Sequence, residues 1–173
     1  IVAFMATPYT IKIAKKVGAV SIEKGKRRMH NRQMPKFGGP AVILGFLVSV
    51  GYLLIVMSLE GGINLFGEEQ YGKKLLGMLL GIIVLAITCI IDDIKTIKPL
   101  TKLSGQLLAA IIVISFGIRI DDITLPFLPT HELNEIFSYI LTLGWIVGIT
   151  NAINLIDGLD GLSSGISVIS AIS

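Results

Sequence analysis

Four stretches of this chain, residues 40–58, 75–91, 103–118 and 136–156, contain no Asp, Glu, Lys or Arg at all. A helix rises about 1.5 Å per residue and a bilayer's hydrocarbon core is about 30 Å thick, so each run is close to a full crossing, the third being slightly short. The apolar residues come in blocks and not in amphipathic stripes, and the composition agrees, with 53% hydrophobic residues and a mean hydropathy of +0.80. A soluble domain is excluded. The expected fold is all-α, a polytopic integral membrane protein whose helical bundle has four complete transmembrane helices.

Residues 1–11 and 163–173 are also apolar but half as long. They are expected to be two truncated membrane helices. Residue 1 is not Met, so the chain is expected to be a fragment of a longer protein, with 1–173 forming a single transmembrane domain. A secretory signal places its positive charges before the apolar run, whereas Lys12, Lys15 and Lys16 follow it here. The lone Cys89 rules out a disulfide framework and a Cys-rich metal site.

Charge sorts the connections between these runs. From Lys12 to Lys36 there are nine Lys or Arg against one Glu, and from Asp92 to Lys102 three against two Asp. The other two connections hold only three of the fifteen positive charges. Positive loops stay in the cytoplasm, which puts the basic segment, the Asp92-Asp93 region and the turn at Asp157-Gly-Leu-Asp160 on the cytoplasmic face. Only Lys and Arg entered that assignment, yet three polar clusters fall together. His131, with Asp121, Asp122 and Glu132, falls on the outer side and is expected to be solvated.

Each cluster can be read chemically. A charge at the centre of a membrane helix costs roughly 2.5 to 3.5 kcal/mol, so acids at the end of an apolar run usually line a polar site. Asp92 and Asp93, if about 5 Å apart, repel by about 3 kcal/mol at an effective dielectric of about 20. A shared Mg²⁺ or a retained proton removes that repulsion, and Mg²⁺ favours one or two carboxylates combined with substrate phosphate oxygens. The plainer alternative is a pair that only ends a helix at the interface.

Asn151, Asn154, Asp157 and Asp160 follow at steps of three, each step turning about 60° backwards on a helix, so neighbours are within reach of one another. Two amides could bind a phosphate or a sugar hydroxyl, and two carboxylates could hold a metal. Gly158 and Gly161 let the backbone leave the helix between the acids. The alternative is a polar seam between helices followed by a Gly-Asp turn.

The segment from Arg27 to Pro40 supplies Arg27, Arg28, His30, Arg32 and Lys36, then Gly38-Gly39, which suits a pyrophosphate or an anionic headgroup. It could equally do no more than set topology and touch acidic lipids. Lys95, Lys98 and Lys102 follow the Asp pair, with Gln106 one turn beyond Lys102; they could neutralise phosphates or anchor the loop at the headgroups. Gly77 and Gly81 form a small-xxx-small pair expected to pack helices.

Met34-Pro35-Lys36-Phe37-Gly38-Gly39, Ile91-Asp92-Asp93 with the lysines through Lys102 and Gln106, and Asn151-Ala-Ile-Asn154-Leu-Ile-Asp157-Gly-Leu-Asp160-Gly-Leu162 together resemble the polyprenyl-phosphate N-acetylhexosamine-1-phosphate transferases. That family includes the phospho-N-acetylmuramoyl-pentapeptide translocase. The Pro-Lys-Phe-Gly-Gly segment is more similar to the branch that uses UDP-N-acetylglucosamine. The resemblance implies transfer of a sugar-1-phosphate from a UDP-N-acetylhexosamine to undecaprenyl phosphate, with release of UMP, at the start of envelope polysaccharide or teichoic acid synthesis. The muramoyl-pentapeptide reaction is the alternative within the family.

It further implies Mg²⁺, with Mn²⁺ as a substitute, held by Asp93 and Asp157. Asp92, Asp93 and Asp157 would be catalytic, with Asp92 deprotonating or orienting the acceptor phosphate, or an aspartate capturing the sugar phosphate covalently. Asn151, Asn154, Asp160, His30, Arg32 and Lys102 would bind substrate. The implied setting is a bacterial plasma membrane with the site facing the cytoplasm, membrane lipids as neighbours, no nucleic acid, and a homodimer as one admissible assembly. Family members carry a further metal-binding aspartate and a histidine-rich loop downstream, so the fragment alone is expected to be inactive. A rival of another class, a cation-coupled transporter, requires carboxylates near mid-bilayer at broken helices.

Overall fold

The computed structural model describes residues 1–22, 33–35, 37–59, 69–124, 131–156 and 162–172. Six helices run through them: α1 (Val2–Val17), α2 (Gly38–Leu59), α3 (Glu69–Lys95), α4 (Pro99–Ser115), α5 (Glu135–Ile156) and α6 (Leu162–Ile172). Four short strands form two antiparallel hairpins. Strand β1 (Val20–Ile22) pairs with β2 (Gln33–Pro35), with Ser21 opposite Met34. Strand β3 (Asp122–Ile123) pairs with β4 (His131–Glu132). The sequence gives no period-two signal for either hairpin, which is why an entirely helical description missed them.

Helices α2, α3 and α5 are long and apolar enough to cross a membrane, whereas α4 has 17 residues and is shorter. Four complete crossings were expected, and the count of full-length ones among the described residues is three. The class stands: this is a multi-pass, all-α membrane protein. Its burial is inverted relative to a water-soluble fold. The largest fully buried side chains are Gln106 and Ser138, while Leu, Ile, Val and Phe side chains along every helix are exposed. Such exposure is stable against an apolar surrounding and not against water.

What holds neighbouring helices together is close backbone approach, because lipid removes any hydrophobic drive between them. Helices α3 and α4 pack most extensively. A Cβ on Gly77 would strike Phe116, one on Gly81 would strike Val113, and one on Gly105 would strike Thr88. Partner numbers fall along α4 as they rise along α3, so the two helices are antiparallel over their length. The small pair Gly77 and Gly81 is thus the helix seam that its spacing suggested.

The turn between these helices fixes the site. Helix α3 continues through Asp92 and Asp93 to Lys95, so the acids occupy its last turn and not a loop. Thr96 then adopts φ 45°, a left-handed conformation costing roughly 1–2 kcal/mol in a residue with a Cβ. The amide of Thr96 donates to the Asp92 carbonyl at 2.8 Å, and that of Ile97 to Asp92 Oδ1 at 3.1 Å, holding the turn closed. Lys98 is extended before Pro99, which starts α4 at a position where its missing N–H is harmless.

Candidate functional site

Five helix ends, those closing α1, α3 and α5 and those opening α2 and α4, meet a hairpin at one side of the bundle. Helix α1 ends at Gly18, left-handed at φ 81°, and the chain enters β1. Ala14, Ala19 and Phe37 form a small buried cluster against which Ile90 and Ile94 of α3 pack. The base of the β1–β2 hairpin and the start of α2 are thereby fastened to α3 on either side of Asp92 and Asp93. These contacts between the end of α1, the hairpin base, the start of α2 and α3 are apolar.

Lys102, in the first turns of α4, carries the central contacts. Its Nζ donates to Asp92 Oδ2 at 2.8 Å and to Asn154 Oδ1 of α5 at 3.0 Å. Residues of three helices, α3, α4 and α5, meet at one ammonium group. The side chains of Lys102 and Asp92 are 20% and 22% exposed, so the ion pair is mostly withdrawn from water yet open to it.

One turn deeper, Gln106 of α4 faces Asn151 of α5. Asn151 Nδ2 donates to Gln106 Oε1 at 2.7 Å and to the Val147 carbonyl at 2.8 Å, while Gln106 Nε2 donates back to Asn151 Oδ1 at 3.4 Å. Gln106 is 2% exposed. The two rungs, Lys102 with Asn154 and Gln106 with Asn151, match a four-residue step on α4 with a three-residue step on α5. That match was legible as spacing, but its pairing was not.

Of the residues singled out from sequence, Asp92, Lys102 and Asn154 come into contact and Asp93 follows Asp92 in the same helical turn. Asn151 lies on the same helix one turn inward, bonded to Gln106. His30, Arg32, Asp157 and Asp160 lie outside the described residues. Helix α5 ends at Ile156, directly before Asp157. Among the described residues no three of His, Cys, Asp and Glu gather to hold a metal. Among the described residues the oxygen donors at this end, on Asp92, Asp93 and Asn154, are of the hard kind that Mg²⁺ takes together with phosphate oxygens.

The opposite end is tied differently. Arg119 bonds Glu135 at 3.1 Å, pairs with Asp121 at 2.7 Å and lies over the Tyr139 ring. The hydrogen bond to Glu135 and the nearby Asp121 raise the guanidinium further above its ordinary value, so it stays charged throughout any working pH range. The Ile120 amide donates to Thr142 Oγ1 at 2.9 Å. A cleft of about 730 Å³ opens there, lined by Lys74, Ile111, Ile114, Arg119, Tyr139 and Leu143 among others. It is larger than a second cleft of about 490 Å³ that shares Ile140, yet the paired acids, the bridging lysine and the amides are at the other end. Side-chain chemistry places the candidate site, not cleft size.

Acids, a lysine and amides thus gather at one end of an antiparallel membrane bundle. The chain belongs to glycosyl transferase family 4, whose model matches residues 75–173. It is 37% identical over 163 residues to a probable undecaprenyl-phosphate N-acetylglucosaminyl 1-phosphate transferase of Bacillus subtilis, covering 94% of this chain and 41% of that protein. It is 31% identical to a decaprenyl-phosphate N-acetylglucosaminephosphotransferase of Mycobacterium leprae, over all of this chain and 42% of that one. A phospho-N-acetylmuramoyl-pentapeptide-transferase of Desulfitobacterium hafniense is 32% identical, over 91% of this chain and 47% of its own length. The chain therefore spans less than half the length of these curated relatives. No solved structure matches it significantly.

Proposed function

We propose that this chain forms part of a membrane enzyme that moves a sugar-1-phosphate, GlcNAc-1-phosphate, from a UDP-sugar to undecaprenyl phosphate, releasing UMP on the cytoplasmic face of a bacterial plasma membrane. The contact that carries the reading is Lys102 between Asp92 and Asn154, because it joins the Asp92–Lys102 segment to the Asn151–Asp160 segment at one polar end of the helices. The names borne by the Bacillus and Mycobacterium relatives support the GlcNAc donor and a polyprenyl phosphate acceptor. The muramoyl-pentapeptide reaction is the second reading, favoured by the Desulfitobacterium relative.

In this reaction an oxygen of the acceptor phosphate attacks the phosphorus that bears the sugar, and the bond from that phosphorus to the bridging oxygen breaks, the oxygen leaving as part of UMP. Lys102 offsets the negative charge of the pyrophosphate, assisted by His30 and Arg32 from the basic segment. Asp92, fixed by the Ile97 amide and by Lys102, orients the acceptor phosphate at the last turn of α3. Asn154 and Asp160 position the sugar and nucleotide. Asp93 and Asp157 would hold Mg²⁺, which when bound supplies charge neutralisation on the departing phosphate.

The test is release of UMP by the full-length protein in membranes, with UDP-GlcNAc and with UDP-MurNAc-pentapeptide, each with and without undecaprenyl phosphate. Release only with UDP-GlcNAc and the lipid supports the reading; release only with the pentapeptide donor selects the second. Chelation should stop turnover, and added Mg²⁺ should restore it. Asp93→Asn should lower turnover by at least about a hundredfold, as loss of a transition-state charge contact does, with the protein still inserted in the membrane. Wild-type turnover in that variant removes the catalytic role.

A further inference from the structure

The Gln106–Asn151 pair changes what Asn151 can do. A carboxamide nitrogen has two N–H donors, and both of those on Asn151 are engaged, one on Gln106 Oε1 at 2.7 Å and one on the Val147 carbonyl at 2.8 Å. Its oxygen faces Gln106 Nε2 at 3.4 Å. Gln106 is 2% exposed and Asn151 half-buried, so the pair is largely sheltered. Asn151 therefore has no N–H left for a sugar or a phosphate.

We infer that Gln106 and Asn151 form a positioning clasp between α4 and α5, and that Asn151 acts on the reaction through this clasp and not by touching substrate. The inference rests on the transferase reading given above and revises one of its residues. Gln106 lies four residues after Lys102 and Asn151 three before Asn154, so the inner rung sets the register of the outer one. A slide of either helix by one residue, about 1.5 Å, would pull Lys102 Nζ beyond hydrogen-bond reach of Asn154 while its bond to Asp92 drags on the α3–α4 turn. In a lipid surrounding an amide pair is among the few contacts that can hold helices in register.

The test uses the full-length enzyme with Gln106→Met, Asn151→Leu and both together. Each single variant leaves one amide without its mate, whereas the double variant replaces both by apolar groups of similar size. The expected result is a fall in kcat of about tenfold for each single change, KM for the nucleotide sugar unchanged within about twofold, and a double variant no slower than either single one. A substrate-binding Asn151 predicts the reverse: Asn151→Leu alone raises KM, and the two losses multiply. That outcome overturns the clasp, as does full activity in Gln106→Met. If the wild-type protein releases no UMP, the transferase reading has failed instead, and the clasp is then judged by thermal unfolding of the same four proteins. There a double variant as stable as either single one supports it and additive losses refute it.

Discussion

Removing the Lys102 ammonium is the most direct perturbation of this structure. Two bonds are lost in Lys102→Met, one charge-assisted at 2.8 Å to Asp92 and one at 3.0 Å to Asn154. Hydrogen bonds to charged groups contribute about 1.5–3 kcal/mol when sheltered, and exposed ion pairs about 0–1 kcal/mol. With the two side chains 20% and 22% exposed, the Lys102–Asp92 coupling should lie between these limits, at about 2 kcal/mol. The neutral acceptor on Asn154 adds about 1 kcal/mol. The single variant should therefore lose about 3 kcal/mol, a factor of more than a hundred in the folding equilibrium.

A double-mutant cycle isolates the first of these. Lys102→Met, Asp92→Asn and the pair are compared in reversible unfolding of the full-length protein in bilayer discs at low salt. Asp92→Asn keeps an oxygen to accept from the Ile97 amide, so the turn between α3 and α4 survives the change. The double variant should be about 2 kcal/mol more stable than the sum of the single effects implies. Strict additivity within about 0.5 kcal/mol would refute the argument, because it would mean that the ammonium and carboxylate do not sense one another.

Two further outcomes concern the scaffold. Gly81→Ala should cost about 1–3 kcal/mol of stability, since the new methyl would sit 2.5 Å from Val113 Cγ2 and force α3 and α4 apart, whereas Gly51→Ala, with open space around it, should cost nothing measurable. Thermal unfolding of the two variants side by side checks the difference. Thr96→Gly should relieve the left-handed strain at φ 45° and stabilise the protein by up to about 1 kcal/mol; a loss of stability would show that the threonine side chain itself holds the turn.

Much of this architecture was legible in the residues. Long uncharged runs dictate helices because lipid offers no partner for backbone N–H and C=O groups, and the run ending at Ile91 located α3 to within a few residues. Gly77 and Gly81 announced a tight seam by spacing alone. The hairpins were hidden, since strands of two or three residues carry no detectable period, and the basic segment that includes β1 and β2 reads as pure charge. The extent of α3 was also hidden: Asp92 and Asp93 look like a loop, but the helix runs on to Lys95, with the Asp92 carbonyl accepting from the Thr96 amide and its carboxylate from the Ile97 amide.

The sequence by itself determined that this chain lives in a membrane and that its acids and amides lie at the ends of its helices, because the cost of burying charge in hydrocarbon is local and can be read one residue at a time. Only the tertiary structure decided which of those groups meet. Lys102 could have faced Asp93 or open water, and Asn151 could have faced a ligand, with no change in composition or spacing. The choice was made by the antiparallel register of α3, α4 and α5, which depends on where small residues let backbones approach, and that is a property of helix pairs that no single segment contains.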